Sequence, residues 1–573
     1  MKKRTFLQTL SLLMAIFILV GVCPVVSVSA NTTGVTKDGF VYEIDNEEVE
    51  ITDYVSDEPK VKIPSSIEGY PVTSIGANAF RSVISAPRFI TEVTIPDTVT
   101  SIGVYAFSGI KIKSIIIPDS VTDISAFAFY SSQLLDSITL PKSVKHIGES
   151  AFRSTGYYNT KENWQDDVLY IDSALISAKE SVSGELKIKD GTTVIADRAF
   201  DGCELLGSVT IPQGVTSIGE YIFYDCKALE SVTIPKGVKN IGTFAFANCS
   251  SLKKVDIPDG VIDIGEHAFS WCSSLERVTM PESVTSIGAS AFSVCSSLDE
   301  VIIPSGVTNI NETAFSACAS LKSIVIPKGV TSIGDRAFLS CTSLADITIP
   351  ESVITIGIDA FGDTAYYSNT DNWQDGVLYI DKALIGIESY TFNKINEYNI
   401  KDGTNVIADY AFYNGRTLEK LTIPSTVKSI GYKAFGGCRA LNNIAIPESV
   451  IYIGSWTFAS CDSLTDVFYE GSQFQWDRAV GDEYKTGLRR TINIHYAKEN
   501  TYVLGDANCD DNVNVRDATL IQKAVASLVT LDDIQNLAAD TDLSGEVNVK
   551  DATVIQKWAA GITVDFPIGD VKN

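Results

Sequence analysis

Two short acidic segments near the C-terminus carry the residues best suited to chemistry. The first holds Asp506, Asn508, Asp510, Asn512, Asn514 and Asp517, and the second Asp540, Asp542, Ser544, Glu546, Asn548 and Asp551. In each, oxygen-bearing side chains stand at positions 1, 3, 5, 9 and 12 of a 12-residue loop, and position 7 offers its backbone carbonyl. Ca²⁺ is held by wrapping roughly six or seven hard oxygen donors around the ion, so the spacing predicts one calcium per loop and two in all. Asp511 occupies position 6 of the first loop, where glycine usually makes the sharp turn, but Asp tolerates positive φ better than most residues. Ser544 removes one charge from the second loop, which predicts weaker binding there.

Each loop leads into a segment of helical periodicity with nearly the same wording, Asp517-Ala-Thr-Leu520-Ile521-Gln522-Lys523-Ala524 and Asp551-Ala-Thr-Val554-Ile555-Gln556-Lys557-Trp558. Leu520, Ile521, Ala524, Val525 and Leu528 recur at helical spacing and predict one apolar face for the other half to cover. One acidic loop can arise by chance, whereas two matched loops with matched helices, 34 residues apart, are hard to obtain by accident. The pair resembles a type I-like dockerin, the calcium-dependent module that plugs into cohesin domains of cellulosomal scaffold proteins. That resemblance implies a small all-α module over 504–573 after a linker at 498–503. It also implies partner contacts at Val515, Arg516, Gln522 and Lys523 in one half and at Val549, Lys550, Gln556 and Lys557 in the other. The two sets are so alike that either half could face the cohesin after a half-turn.

Upstream, the chain repeats one phrase. Phe200, Phe223, Phe246, Phe269, Phe292, Phe315, Phe338 and Phe361 follow at 23-residue steps, and Phe412, Phe435 and Phe458 resume the step. Phe80, Phe107, Phe129 and Phe152 precede it at spacings of 27, 22 and 23. A fixed period of this length means a solenoid, whose coils bury their apolar sides only by stacking on neighbours. In the coil from Cys249 to Phe269, Leu252, Val255 and Ile257 predict a short strand that Pro258, lacking a ladder donor, closes. Val261 and Ile264 predict a second extended piece, Gly265 a turn, and Ala268-Phe269 a short helical turn with Phe inward.

The wording V-T-S-I-G-x-x-A-F-x-x-C-S-S-L-x-x-V-x-I-P resembles the BspA-type leucine-rich repeats of bacterial surface proteins, over about residues 34–497. Val61 to Ser74 resembles that family's N-terminal cap, and Asp466 to Ser472 through Trp476 to His495-Tyr496 its closing segment. The implied organisation is an α/β solenoid with a cap at 31–78, repeats at 79–465 and a C-terminal cap at 466–497. Cys203, Cys226, Cys249, Cys272, Cys295, Cys318, Cys341, Cys438 and Cys461 share one repeat position. One cysteine per coil fits a ladder of buried free thiols better than disulfides, because parallel side-chain vectors make poor bridge geometry. Ser132, Thr155, Thr364 and Gly415 take that place where the ladder breaks.

Two longer coils, at 155–198 and 364–410, are copies of each other and predict a variant repeat with a small hairpin. Tyr157, Tyr158 and Trp164 in one, and Tyr366, Tyr367 and Trp373 in the other, are candidate sugar-stacking contacts; the plainer reading is that they cover the core where the regular coil is broken. The strand flanks, such as Ser231/Thr233, Lys254/Asp256 and Arg277/Thr279, form a flat, polar, Thr-rich face suited to binding protein.

Met1-Lys2-Lys3-Arg4, the apolar stretch Leu10 to Val22 and Val28-Ser29-Ala30 form a secretory signal peptide over 1–30, so the mature chain is expected outside the cell. A lipoprotein signal ending at Cys23 is disfavoured because Val22 stands where a small residue is wanted. After it, no stretch reaches the ~18 apolar residues of a membrane span. With 71 Asp+Glu against 45 Lys+Arg, a net charge of -26 argues against nucleic acid or anionic lipid as partners. The repeats and the C-terminal module consume the chain, which leaves no unassigned catalytic domain. The sequence therefore predicts a secreted, monomeric, non-catalytic interaction protein that docks on a scaffoldin cohesin and offers its repeats to a protein or glycan ligand, associated with polysaccharide degradation. A cellulosomal glycoside hydrolase or peptidase with an unrecognised active site, or a surface adhesin, are the alternatives.

Overall fold

The computed structural model describes residues 32–83, 88–388, 394–480, 487–488, 492–498, 502–509, 512–531, 533–541, 547–560, 562, 564, 568 and 571–572. They fall into two compact units, one of residues 1–182, 188–203 and 212–222 and one of 183–187, 204–211 and 223–573. Each unit contains a stack of coils, and the second also holds the C-terminal module. In the first, strands Thr32–Val35, Phe40–Asp45 and Glu48–Tyr54 form an antiparallel start, and Glu48–Tyr54 then pairs in parallel with Tyr70–Ile75. From there the second strand of each coil stacks in parallel, Ser101–Ile102 on Asp123–Ile124 on His146–Ile147.

The second unit repeats this order. Lys254–Asp256 pairs in parallel with Arg277–Thr279, and Asp263–Ile264 lies between Asn240–Ile241 and Ser286–Ile287. Val255 and Ile264 are fully buried, while the flanks Lys254 and Asp256 face solvent. The expected first strand is therefore present, one in–out alternation long. Asp466–Tyr469, helix Gln473–Val480 and strand Asn493–Tyr496 close the stack, with Trp476 fully buried beneath Tyr469.

The regular coil departs from expectation at its bend. Where Ala268-Phe269 predicted a helical turn, the chain makes successive tight turns. His267 and Trp271 adopt φ of 54° and 64°, left-handed values that interrupt any helix. The N–H groups of His267, Phe269 and Trp271 donate to Ala289, Ala291 and Ser293 of the next coil at 2.9, 2.8 and 2.8 Å. The intervening Ala268 and Ser270 donate three residues back, to Gly265 and His267. Inter-coil capture of every second donor thus replaces the i→i−4 ladder that would make a helix. Gly265 is required here because a Cβ would stand 2.8 Å from the Gly242 carbonyl carbon.

Inside the bend, Phe rings stack. Centroids from Phe223 through Phe361 are 5.2–5.5 Å apart with ring planes within 13° of parallel, and those of Phe80, Phe107, Phe129 and Phe152 in the first unit are 5.1–5.3 Å apart and within 15°. Beside them the ladder cysteines are buried and none is in a disulfide, as expected. Cys249, Cys272 and Cys295 each donate Sγ–H to the Phe carbonyl of an earlier coil, at 3.1–3.2 Å. Ser132, Thr155 and Thr364 fill the same buried place and donate to Phe carbonyls at 2.8 Å. Burial pushes the Cys272 thiol up to about 12 and that of Cys249 well above its usual value.

The C-terminal module has helices Val515–Val525, Asp533–Ala539 and Val549–Ala559, with the first and third packed together. It is not wholly helical, because Tyr502–Val503 pairs antiparallel with Val571–Lys572. Part of the expected linker therefore belongs to the module. Ile521 is buried and Leu520 and Ala524 pack against its core as predicted, but Val525 and Leu528 are 41% and 75% exposed. The helix ends at Val525, so Leu528 lies beyond its apolar face. Among the described residues, no helix is long and apolar enough to cross a membrane.

Truncating Phe292, fully buried between Phe269 and Phe315, should destabilise its unit by about 3–5 kcal/mol. Ile302→Ala, at a residue 70% exposed, should stay within about 0.5 kcal/mol. Urea unfolding of the two variants tests the contrast.

Candidate functional site

Two places in the molecule gather candidate functional side chains. The first is the C-terminal module, where the two halves repeat the same helix capping. Asn514 caps its helix by accepting the Arg516 N–H on Oδ1 at 2.9 Å, and Asn548 accepts the Lys550 N–H at 3.0 Å. Asp517 Oδ2 accepts the Asn514 N–H and Asp551 Oδ2 the Asn548 N–H, both at 2.8 Å, completing reciprocal capping boxes. Asp517 Oδ1 reaches back to the Asn508 N–H at 3.0 Å and so ties the start of its loop to the end.

Asp506, Asn508, Asn512, Asn514 and Asp517 lie in the described part of the first loop, as do Asp540, Asn548 and Asp551 in the second. Asp510, Asp542, Ser544 and Glu546 lie outside the described residues. Among those described, no three His, Cys, Asp or Glu side chains gather as a metal cluster. The donor chemistry nevertheless fits a hard cation. Asp506 is 3% exposed, Asp517 and Asp551 are fully buried, and a carboxylate that accepts two hydrogen bonds keeps lone pairs for a metal. The Asn512 carbonyl accepts the Asn514 Nδ2–H at 2.8 Å and likewise keeps a second lone pair.

Outside the loops, Val515, Arg516, Gln522 and Lys523 are all exposed, and so are Val549, Lys550, Gln556 and Lys557. Val515 and Val549, 60% and 59% exposed, present apolar surface at equivalent corners of the two halves. Leu528, Trp558 and Ile562 add further exposed apolar surface.

The second place is the variant repeat. In the first copy a three-stranded antiparallel sheet, Trp164–Gln165, Val168–Ile171 and Ala174–Ala178, stands at the break in the regular coil, confirming the expected hairpin. Tyr157, Tyr158 and Trp164 are half-buried against the core rather than freely exposed. Tyr157 donates its hydroxyl to the Tyr170 carbonyl at 3.0 Å and Trp164 its indole N–H to the Tyr158 carbonyl at 2.8 Å. Tyr366 and Trp373 make the matching bonds to Tyr379 and Tyr367 at 2.9 and 2.7 Å. Tyr158 meets Trp164 edge to face, as Tyr367 meets Trp373, with centroids 5.1 Å apart in both pairs.

Beside this hairpin lies a charge cluster that residue spacing did not disclose. His146 Nδ1 lies 2.6 Å from Asp123 Oδ2, and its Nε2 lies 2.9 Å from Asp197 Oδ2. Ala196 stands where regular coils have the bend glycine, and the Oδ1 of Asp197 beside it accepts the Glu220 N–H at 2.9 Å. Arg198 pairs with Glu149 and with Asp201, and its guanidinium covers the Tyr221 ring at 3.9 Å. The available signal was the break in register, Ala in place of Gly at 196 and again at 408, each followed by Asp. In the second copy Thr355 replaces the histidine and bonds Ser332, and burial pushes the Asp409 carboxyl up to about 7.

Parallel two-strand coils closed by a Phe-stacked bend define a leucine-rich-repeat solenoid. A family model described as the BspA type leucine rich repeat region matches residues 59–182, 171–285, 262–384 and 383–477, and the chain belongs to that family. Among solved structures, a leucine-rich repeat protein from Bacteroides ovatus is 23% identical, covering 82% of this chain and 99% of its own, with a TM-score of 0.30. A leucine rich cell surface protein from Faecalibacterium prausnitzii is 22% identical over 82% of this chain and 96% of its own, with a TM-score of 0.24. A leucine-rich repeat protein from Eubacterium ventriosum is 26% identical over 55% and 95%, with a TM-score of 0.31. No curated protein matches the chain.

The hydrogen bonds that His146 gives to Asp123 and Asp197 raise its pKa from 6.5 to about 10. Because the folded value lies above the unfolded one, the stabilisation is complete below about 6.5 and is lost as pH rises through 10. The difference in melting temperature between wild type and His146→Gln should therefore be widest near pH ~6 and close by pH ~10.5. Melting curves across that range test it.

Proposed function

We propose that the chain is an exported, non-catalytic interaction protein whose C-terminal module is a dockerin. Two calcium ions would be held by Asp506, Asn508, Asp510, Asn514 and Asp517 with the Asn512 carbonyl, and by Asp540, Asp542, Ser544, Asn548 and Asp551 with the Glu546 carbonyl. Bound calcium supplies the local positive charge that lets buried carboxylates stay ionised and fixes each loop against its helix. The module docks on a scaffoldin cohesin, and the coils display a surface to a protein or glycan in polysaccharide breakdown.

The observation that supports this most is the matched exposure of the two half-modules. Val515, Arg516, Gln522 and Lys523 recur as Val549, Lys550, Gln556 and Lys557 at the same helix positions, all outward, beside the same capping boxes. A core needs buried residues to match; outward residues that match serve a partner that reads both halves alike.

Isothermal titration should find two calcium ions per chain, and chelation should abolish cohesin capture. Arg516→Glu and Lys550→Glu should each leave cohesin binding within about threefold of wild type, whereas the double mutant should lose it by roughly 100-fold or more. If either single mutant abolishes binding, the two faces are not interchangeable.

A further inference from the structure

The two variant repeats share a frame and differ in what the frame surrounds. The frame bonds of Tyr157, Asn163 and Trp164 recur at Tyr366, Asn372 and Trp373, and Leu140 N–H donates to Asp172 as Ile349 N–H donates to Asp381, at 2.8 Å in both. In the first copy this frame borders a cleft of about 630 Å³ whose lining includes Arg153, Tyr158, Lys179, Glu180, Arg198 and Asp201. The second copy has Gly362, Glu388, Tyr410 and Tyr413 in place of Arg153, Lys179, Arg198 and Asp201. Covering the core requires only the frame, and four of the charged residues that line the cleft are replaced in the second copy.

The first cleft is polar and internally neutralised. Lys179 lies 2.7 Å from Asp167 and 4.8 Å over the Trp164 ring, and Arg198 is held by Glu149 and Asp201. The Arg153 guanidinium, the Glu180 carboxylate and the Tyr158 hydroxyl have no hydrogen-bond or ion-pair partner among the described residues. One cation, one anion and one phenol therefore remain to bind, on a wall whose other charges already pair. The Tyr158 ring is fixed by Trp164, so ordering it costs little on binding.

We infer that this cleft binds a neutral oligosaccharide. Adjacent sugar hydroxyls are each donor and acceptor, which suits a guanidinium and a carboxylate across one cleft, and a pyranose face packs on a fixed tyrosine. A charged ligand would leave one of Arg153 and Glu180 opposed to it. The inference rests on the reading of the coils as a displayed binding surface and gives that surface its ligand class.

The test is titration of the full chain, with calcium present, against neutral hexasaccharides of glucose, xylose and mannose, with hexagalacturonate and a peptide library as contrasts. At least one neutral hexasaccharide should bind, and Arg153→Ala and Tyr158→Ala should each weaken it by roughly tenfold or more, while Tyr367→Ala in the second copy should not. Tyr158→Phe, which keeps the ring and its packing, should show an intermediate loss with an unchanged melting temperature; if Tyr158→Ala does not fold, Tyr158→Phe and Arg153→Ala decide. Binding of hexagalacturonate or peptides alone, binding unaltered by these variants, or no neutral binding at millimolar sugar overturns the inference. Cohesin capture measured on the same samples uses residues 515–557, so its loss with sugar binding intact counts against the docking reading alone.

Discussion

Every regular coil depends on one exchange of hydrogen bonds at the bend before and after the Phe. Alternate N–H groups are given to the next coil, and the residues between them turn back on themselves. The exchange requires a left-handed residue on each side of the Phe, and the chain accepts Tyr105, Phe127, Trp271 and Trp456 there although bulky side chains disfavour that conformation. It brings consecutive Phe rings to 5.1–5.8 Å, within the range where aromatic pairs attract. Length is then fixed: a coil with one residue more or fewer at the bend would misplace both the donors and the ring.

The variant repeats show how an array tolerates interruption. Each leaves the stack through a buried threonine, builds a three-stranded sheet, and returns with an alanine where glycine belongs and an aspartate just after it. That aspartate serves the backbone of the following coil, since Asp197 and Asp409 accept the N–H groups of Glu220 and Tyr432. Only in the first copy does its second oxygen also meet a histidine, joining strands that the excursion had separated by 51 residues. The second copy keeps the return but leaves Asp409 buried near Asp335, where ionisation is disfavoured.

Much of this was legible in the residues. The 23-residue step fixed the coil, the Phe and Cys registers placed the buried ladder, and the paired acidic phrases marked both helix starts. What was not legible had physical causes. Ala-Phe beside a polar residue has good helical propensity, and only the neighbouring coil's carbonyls, invisible in one repeat, draw the donors away. Side-chain type does not announce positive φ at His267 or Trp271, because the stack, not local preference, enforces it. The His146 cluster was missed because its members belong to three coils and one of them follows an excursion. The variant-repeat aromatics were read as a group, yet their half-burial depends on a sheet whose packing spacing does not encode.

The column of cysteines has a consequence for how the chain must be made. Each thiol is inert once its coil is closed, because burial holds it protonated and aims it at a carbonyl of an earlier coil. Before closure the same thiols are exposed, one every 23 residues along much of the chain, and free to couple in wrong pairs. In an oxidising compartment, folding is then a race in which stacking must outrun oxidation. An array that propagates coil by coil from a nucleus suits that race, since each coil added shelters one more thiol.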